Sequence, residues 1–210
     1  MNSKKEKIIH TARILFNEKG YKNVTIRMIA MELNMSSGNL NYHFKKREDI
    51  LEVIYFDMVR VFDERIEKLD SEKLTLSKMH KDIHVSISRM IDYKFFWTDL
   101  YNLLQLNDKI KEHFNAVYEY RKKGLSFVLD TFISTNILNK FETEFEKKNL
   151  IEQMVNFGNT WIYASSLYSN NNLTPKFINT QTSSLMAYLF PYMTSLGKNE
   201  FRKLIPNNFD

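Results

Sequence analysis

The sequence predicts an all-α protein, and three observations carry that expectation. Its 210 residues contain only five glycines and three prolines, too few for the many tight turns of a sandwich or barrel. Long uninterrupted stretches are rich in Leu, Lys, Glu, Met and Phe, which suits helices. Hydrophobic residues make up 43% of the chain, enough for a packed core and too many for an intrinsically disordered one. The chain has no cysteine, which excludes disulfide scaffolds, thiolate metal sites, iron–sulfur clusters and cysteine nucleophiles.

The first helix should open at Ser3. Ser3 and Glu6 have the capping-box spacing, and Ile8, Ala12, Leu15 and Phe16 recur on one face. Gly20 supplies a left-handed stop. A second helix of barely two turns follows Thr25 as its N-cap, with Ile26, Ile29, Ala30 and Leu33 inward. Ser36 caps a third short helix over residues 37–42. Then the scale changes. Ile50, Leu51, Ile54, Tyr55, Met58, Phe62, Ile66 and Leu69 trace one stripe along a long connecting helix over residues 47–69.

Further helical patterns run over residues 74–94, 97–106, 108–133, 143–168 and 175–190. Thr143 and Glu146 form a second capping box, and Thr174 precedes a proline at a first helical position. Residues 169–172 read as a polar loop. Pro191 calls for a kink or an end near Phe190, and Gly197 and Pro206 bracket a short C-terminal piece.

The net charge of +5 is unevenly distributed. Residues 1–50 hold ten Lys/Arg against five acids, and residues 51–210 hold 20 of each. A compact basic segment on a neutral body suits a polyanion-binding head on a separate regulatory body. There is no apolar run of about 18 residues that spans a bilayer. His10, Thr11 and Arg13 break the first apolar stretch, so no signal peptide reads through, and a cytoplasmic protein is expected.

The stretch from Thr25 to Leu51 reads as a helix-turn-helix, two short helices joined by a tight turn. Its residues are Thr25, Ile29-Ala30, Met35-Ser36, Gly38-Asn39-Leu40-Asn41-Tyr42-His43-Phe44 and Arg47-Glu48-Asp49-Ile50. Ser36, Ser37 and Asn39 cluster at the N-terminal end of the third helix, the end that enters a major groove. Gly38 removes a side chain where backbone and DNA approach. Leu40 and Phe44, four apart, anchor the helix and leave Asn39, Tyr42 and His43 outward. His43, Lys46 and Arg47 add charge or donors beside Tyr42.

Over residues 8–51 the motif resembles the TetR family of bacterial transcriptional repressors. It departs from that family's pattern at Asn34 in place of the turn glycine, Asn41 in place of the first tyrosine of a pair, and Arg47 in place of lysine. Asparagine tolerates the left-handed region, so the turn should survive. The resemblance implies phosphate contacts for Thr25, Tyr42, His43 and Arg47 and groove contacts for Asn39 and Asn41. It also implies a DNA-binding domain over residues 1–46, a helical ligand-binding and dimerisation domain over residues 47–210, and double-stranded DNA, a small-molecule effector and a second copy of the chain as partners.

In the body, Tyr93, Phe95, Phe96, Trp97 and Tyr101 lie within nine residues. Trp97, Tyr101, Phe114, Tyr118, Phe157 and Trp161 are the candidate pocket residues; such side chains either line an apolar ligand cavity or simply fill a core. Met154, Gly158, Ile162, Leu185 and Leu189 are candidate dimer-interface positions on the last two long helices, with an intramolecular core as the alternative for Gly158. His80 and His84 are four apart near Asp82, but no third ligand is fixed by spacing, so neither metal nor cofactor is expected. Catalytic signatures are absent from the sequence. The expected function is a repressor released from a twofold-symmetric operator by a small lipophilic ligand. The alternatives are an activator or architectural binder, and an all-α carrier or enzyme whose basic head docks on membrane.

Overall fold

The computed structural model describes residues 3–66, 74–168 and 173–205, with the side chains of residues 61–66 left aside. The fold is all-α. The chain forms two compact units, one of residues 1–68 and 92–113, the other of residues 69–91 and 114–210.

The first unit begins with α1 (Lys4–Lys19), α2 (Ile26–Glu32), α3 (Ser37–His43) and α4 (Arg47–Ile66). Both capping-box bonds are present at Ser3: its hydroxyl accepts the Glu6 N–H, and the Glu6 carboxylate accepts the Ser3 N–H at 2.8 Å. Gly20 has φ +78° and ψ +145°, so the chain leaves α1 straight into a 3-10 turn, Tyr21–Asn23. Thr25 and Ser36 cap α2 and α3 by accepting the Met28 and Asn39 N–H groups, both at 3.2 Å. Asn34 sits in the turn at φ +52°, the left-handed conformation expected of a glycine substitute. The core beneath consists of Ile8, Ala12, Phe16, Ile29, Leu40, Ile50, Leu51 and Ile54.

The expected 97–106 helix is two short helices, α6 (Lys94–Thr98) and α7 (Leu100–Leu106). The Thr98 hydroxyl bonds back to the Lys94 and Phe95 carbonyls, and Asp99 leaves helical geometry at φ −129°, ψ +26°; together they end one helix and start another. Asn17 ties α6 to α1: its amide donates to the Asp92 carbonyl at 2.8 Å and accepts the Phe95 N–H at 3.0 Å. Glu52 on α4 bonds Asn107 and Lys109 at the start of α8 (Asp108–Ser134). These bonds hold its carboxyl below the usual carboxylate range.

The second unit comprises α5 (Leu76–Ile91), the later part of α8, α9 (Glu144–Tyr168), α10 (Pro175–Ala187) and α11 (Ser195–Leu204). Its core gathers Leu76, Leu129, Phe132, Leu150, Met154, Met186, Leu189 and Phe201. Thr143 caps α9, but the Glu146 carboxylate reaches the Glu142 N–H, one residue before the expected partner. Thr174 caps α10, with Pro175 at its first position. At Pro191 the helix has ended: α10 stops at Ala187, and a 3-10 turn occupies Phe190–Tyr192.

The C-terminal piece folds as α11, capped by Thr194. An isolated antiparallel bridge between Leu138 and Met193 fixes its approach, helped by the Asn139 N–H donating to the Tyr192 carbonyl at 2.8 Å. The expectations for Leu69, the loop at 169–172 and Pro206 lie outside the described residues, as do the side chains of Phe62 and Ile66. Among the described residues, no helix is long and apolar enough to cross a membrane.

Candidate nucleic-acid interface

Leu40 and Phe44 are buried against the head core, contributing about 1.5–3 kcal/mol each. They pin α3 by one face and turn the other outward. Asn39, Asn41 and Tyr42 are exposed, and Tyr42 stands out at 83%, far more than a phenol retained for packing would show. The Tyr42 ring meets the half-buried His43 ring edge-on at 5.4 Å. Ser37 is half-buried, and Thr25, Ser36, Gly38 and Lys46 are exposed.

A Cβ added at Gly38 would meet only the Ser36 hydroxyl, at 4.0 Å. The fold of the chain does not require glycine there, so the missing side chain leaves room for something outside the molecule.

Arg47 makes contacts within the head. Its Nη1 donates to the carbonyls of Tyr21 at 2.9 Å, Val24 at 2.7 Å and Lys22 at 3.4 Å, and its guanidinium lies 4.0 Å from the Tyr21 ring centroid. It clamps the α1–α2 connection onto α4 rather than standing free. Arg27 in the first turn of α2 and Lys45 after α3 are further exposed cations within the motif, whose sequence signal is the excess charge of the head.

The six candidate pocket residues divide between the units. Trp97 and Tyr101 belong to the first, and Phe114, Tyr118, Phe157 and Trp161 to the second. Trp97 is buried edge-on against Phe96 at 5.5 Å, whereas Tyr101 is 75% exposed and so lines no enclosed cavity. In the second unit Phe157 meets Tyr188 edge-on at 5.9 Å, and buried Trp161 donates to the Met90 sulfur at 3.4 Å.

Of the expected dimer-face residues, Met154 and Ile162 on α9 and Leu189 after α10 are buried within the single chain. Gly158 and Leu185 remain half-exposed. His80 and His84 lie on α5 as spaced, and burial pushes the His80 imidazole below its usual range. Among the described residues no group of three potential metal ligands forms.

The comparisons with known proteins agree with this geometry. The family model for bacterial regulatory proteins of the tetR family matches residues 8–54, and the TetR bacterial transcriptional repressor model matches residues 58–201. An uncharacterised HTH-type transcriptional regulator of Bacillus subtilis is 34% identical over 122 residues, covering 56% of this chain but only 42% of that relative's length. An HTH-type transcriptional regulator of Staphylococcus aureus is 26% identical over 155 residues, 73% of this chain and 80% of that one. The crystal structure of a TetR-family transcriptional regulator from Marinobacter aquaeolei superposes with a TM-score of 0.87 at 20% identity, covering 97% of each chain. Carrying a helix-turn-helix head and matched by family models over most of its length, the chain belongs to the TetR family of transcriptional regulators.

Proposed function

We propose that this regulator is a cytoplasmic repressor that binds a twofold-symmetric operator as a homodimer and lets go when a small lipophilic effector enters its body. Residues 1–46 serve as the DNA-binding domain, and residues 47–210 carry effector binding and dimerisation. The observation that carries the DNA-binding half is the outward face of α3, where Asn39, Asn41 and Tyr42 are exposed on a helix anchored by Leu40 and Phe44. Asparagine amides pair with adenine edges in the major groove. Thr25, Tyr42, His43 and Lys46 flank them as phosphate contacts, with Ser36 and Ser37 at the entering end. A repressor sign is supported by the description of the family matched over residues 58–201. A lipophilic effector is supported by the half-buried aromatics Phe114, Tyr118 and Phe157 of the second unit.

Titrating the protein against its own upstream DNA at increasing salt tests the reading. A dimer with about six to eight phosphate contacts gives a log affinity that falls with log salt at a slope near about −6; a slope near zero overturns it. In the same assay Tyr42→Phe weakens all sequences alike, while Asn39→Ala also flattens preference between sites by about 1–3 kcal/mol. Equal flattening by both would remove Asn39 as the base reader.

A further inference from the structure

Within the first unit a cleft of about 410 Å³ opens between α1 and α4. It lies outside every site assigned above, and its volume falls within the small-molecule range. Its apolar surface comes from Ile9, Val53, Tyr93 and Phe44. Val53 is 39% exposed, so an aliphatic side chain lines the recess partly open to solvent.

The rim adds charge placed over aromatic rings. The Lys5 ammonium stands 6.0 Å from the Phe44 ring centroid, and the Arg13 guanidinium 5.1 Å from that of Tyr93. Arg13 spends one donor on the Asp92 carbonyl at 3.2 Å, and its fork retains others. Of the two acids in the lining, Glu6 is occupied with the Ser3 N–H in the α1 capping box, and Asp57 is outnumbered by Lys5, Arg13 and Arg60, with His10 beside them in the lining. Burial pushes the Tyr93 phenol above its usual range, so it remains a donor. An apolar slot with cations at its mouth matches a flat ring that carries one carboxylate.

We propose that this cleft is a binding site for a small aromatic carboxylate, its ring on Ile9, Val53 and Tyr93 and its carboxylate between Lys5 and Arg13. Phe44 both walls the cleft and closes α3, its N–H donating to the Leu40 carbonyl at 3.0 Å. An occupant therefore touches the outward-facing helix from its buried end. That regulatory consequence rests on the DNA-binding reading, whereas the binding itself does not.

The test uses methyl-labelled full-length protein, with benzoate as probe and benzamide and inorganic phosphate as controls. The Ile9, Val53 and Ile54 methyl resonances should shift saturably with benzoate, with affinity at least about tenfold tighter than for either control. Lys5→Glu should weaken benzoate by about tenfold or more, and Val53→Trp should abolish it; both side chains are exposed, so the fold tolerates the changes. Silent methyls, shifts indifferent to both substitutions, or equal binding of benzamide or phosphate overturn the proposal. DNA affinity does not enter these readouts, so a failure of operator binding leaves them intact.

Discussion

A guanidinium has five donors, and where they point decides what the residue is for. Arg47 lies at a motif position that the family resemblance assigns to phosphate, yet three backbone carbonyls converge on its Nη1 and its plane covers the Tyr21 ring. Charge-assisted bonds of this kind contribute about 1.5–3 kcal/mol, so Arg47→Ala should lower unfolding stability by about 2–3 kcal/mol in a urea titration. Lysine cannot reproduce the fork, and Arg47→Lys should recover less than half of the loss. Tyr21 is the other half of the clamp. Burial pushes its phenol up to about 12 despite the neighbouring guanidinium, while the hydroxyl donates to Glu48 at 3.2 Å. A raised folded-state pKa means that the stabilisation is fully present below about 10, the unfolded value, and is lost as pH rises towards about 12. Urea midpoints measured from pH 8 to 12 should therefore fall more steeply in the native protein than in Tyr21→Phe.

At the scale of elements, the signals that were legible were local ones. Ser3, Thr25, Ser36 and Thr174 each cap the helix their sequence context announces, because a cap is decided within about four residues. The asparagine at 34 announced its left-handed turn for the same reason. What could not be read was set by partners distant in the chain. The start of α6 is held by Asn17, some 78 residues away in the chain, and the inward stripe of α9, with Met154 and Ile162 buried in it, depends on which neighbours cover it. Gly197 is the clearest example. Its sequence context says only that a helix is interrupted, whereas in the fold an added Cβ would collide with the Ile137 carbonyl oxygen and press on the Met193 Cβ at 3.2 Å. The obstacle is backbone that cannot swing aside. Gly197→Ala should gain helix propensity yet destabilise the second unit by about 1–3 kcal/mol, read as a lowered thermal midpoint. An unchanged or raised midpoint would mean that α11 shifts freely.

At the scale of the whole molecule, the excess positive charge is confined to the first 50 residues and the rest is balanced, so electrostatic attraction to DNA need not bring the bodies of two copies together or apart. The proposed homodimer would therefore draw on apolar surface. With Met154, Ile162 and Leu189 occupied inside one chain, the α9 surface still free for a partner carries Tyr163, 49% exposed, and Leu167, 55% exposed. A single head makes too few base contacts for a specific site, and a twofold pair spaced about 34–36 Å apart is the geometric remedy. The double substitution Tyr163→Glu with Leu167→Glu places like charges opposite each other across such an interface while leaving the head untouched. It should convert the protein to a monomer by light scattering, keep its helical circular dichroism, and weaken operator binding by about a hundredfold or more. A dimer that survives both glutamates would move the interface off this face of α9, and a monomer that still binds the operator at full strength would break the link between pairing and recognition.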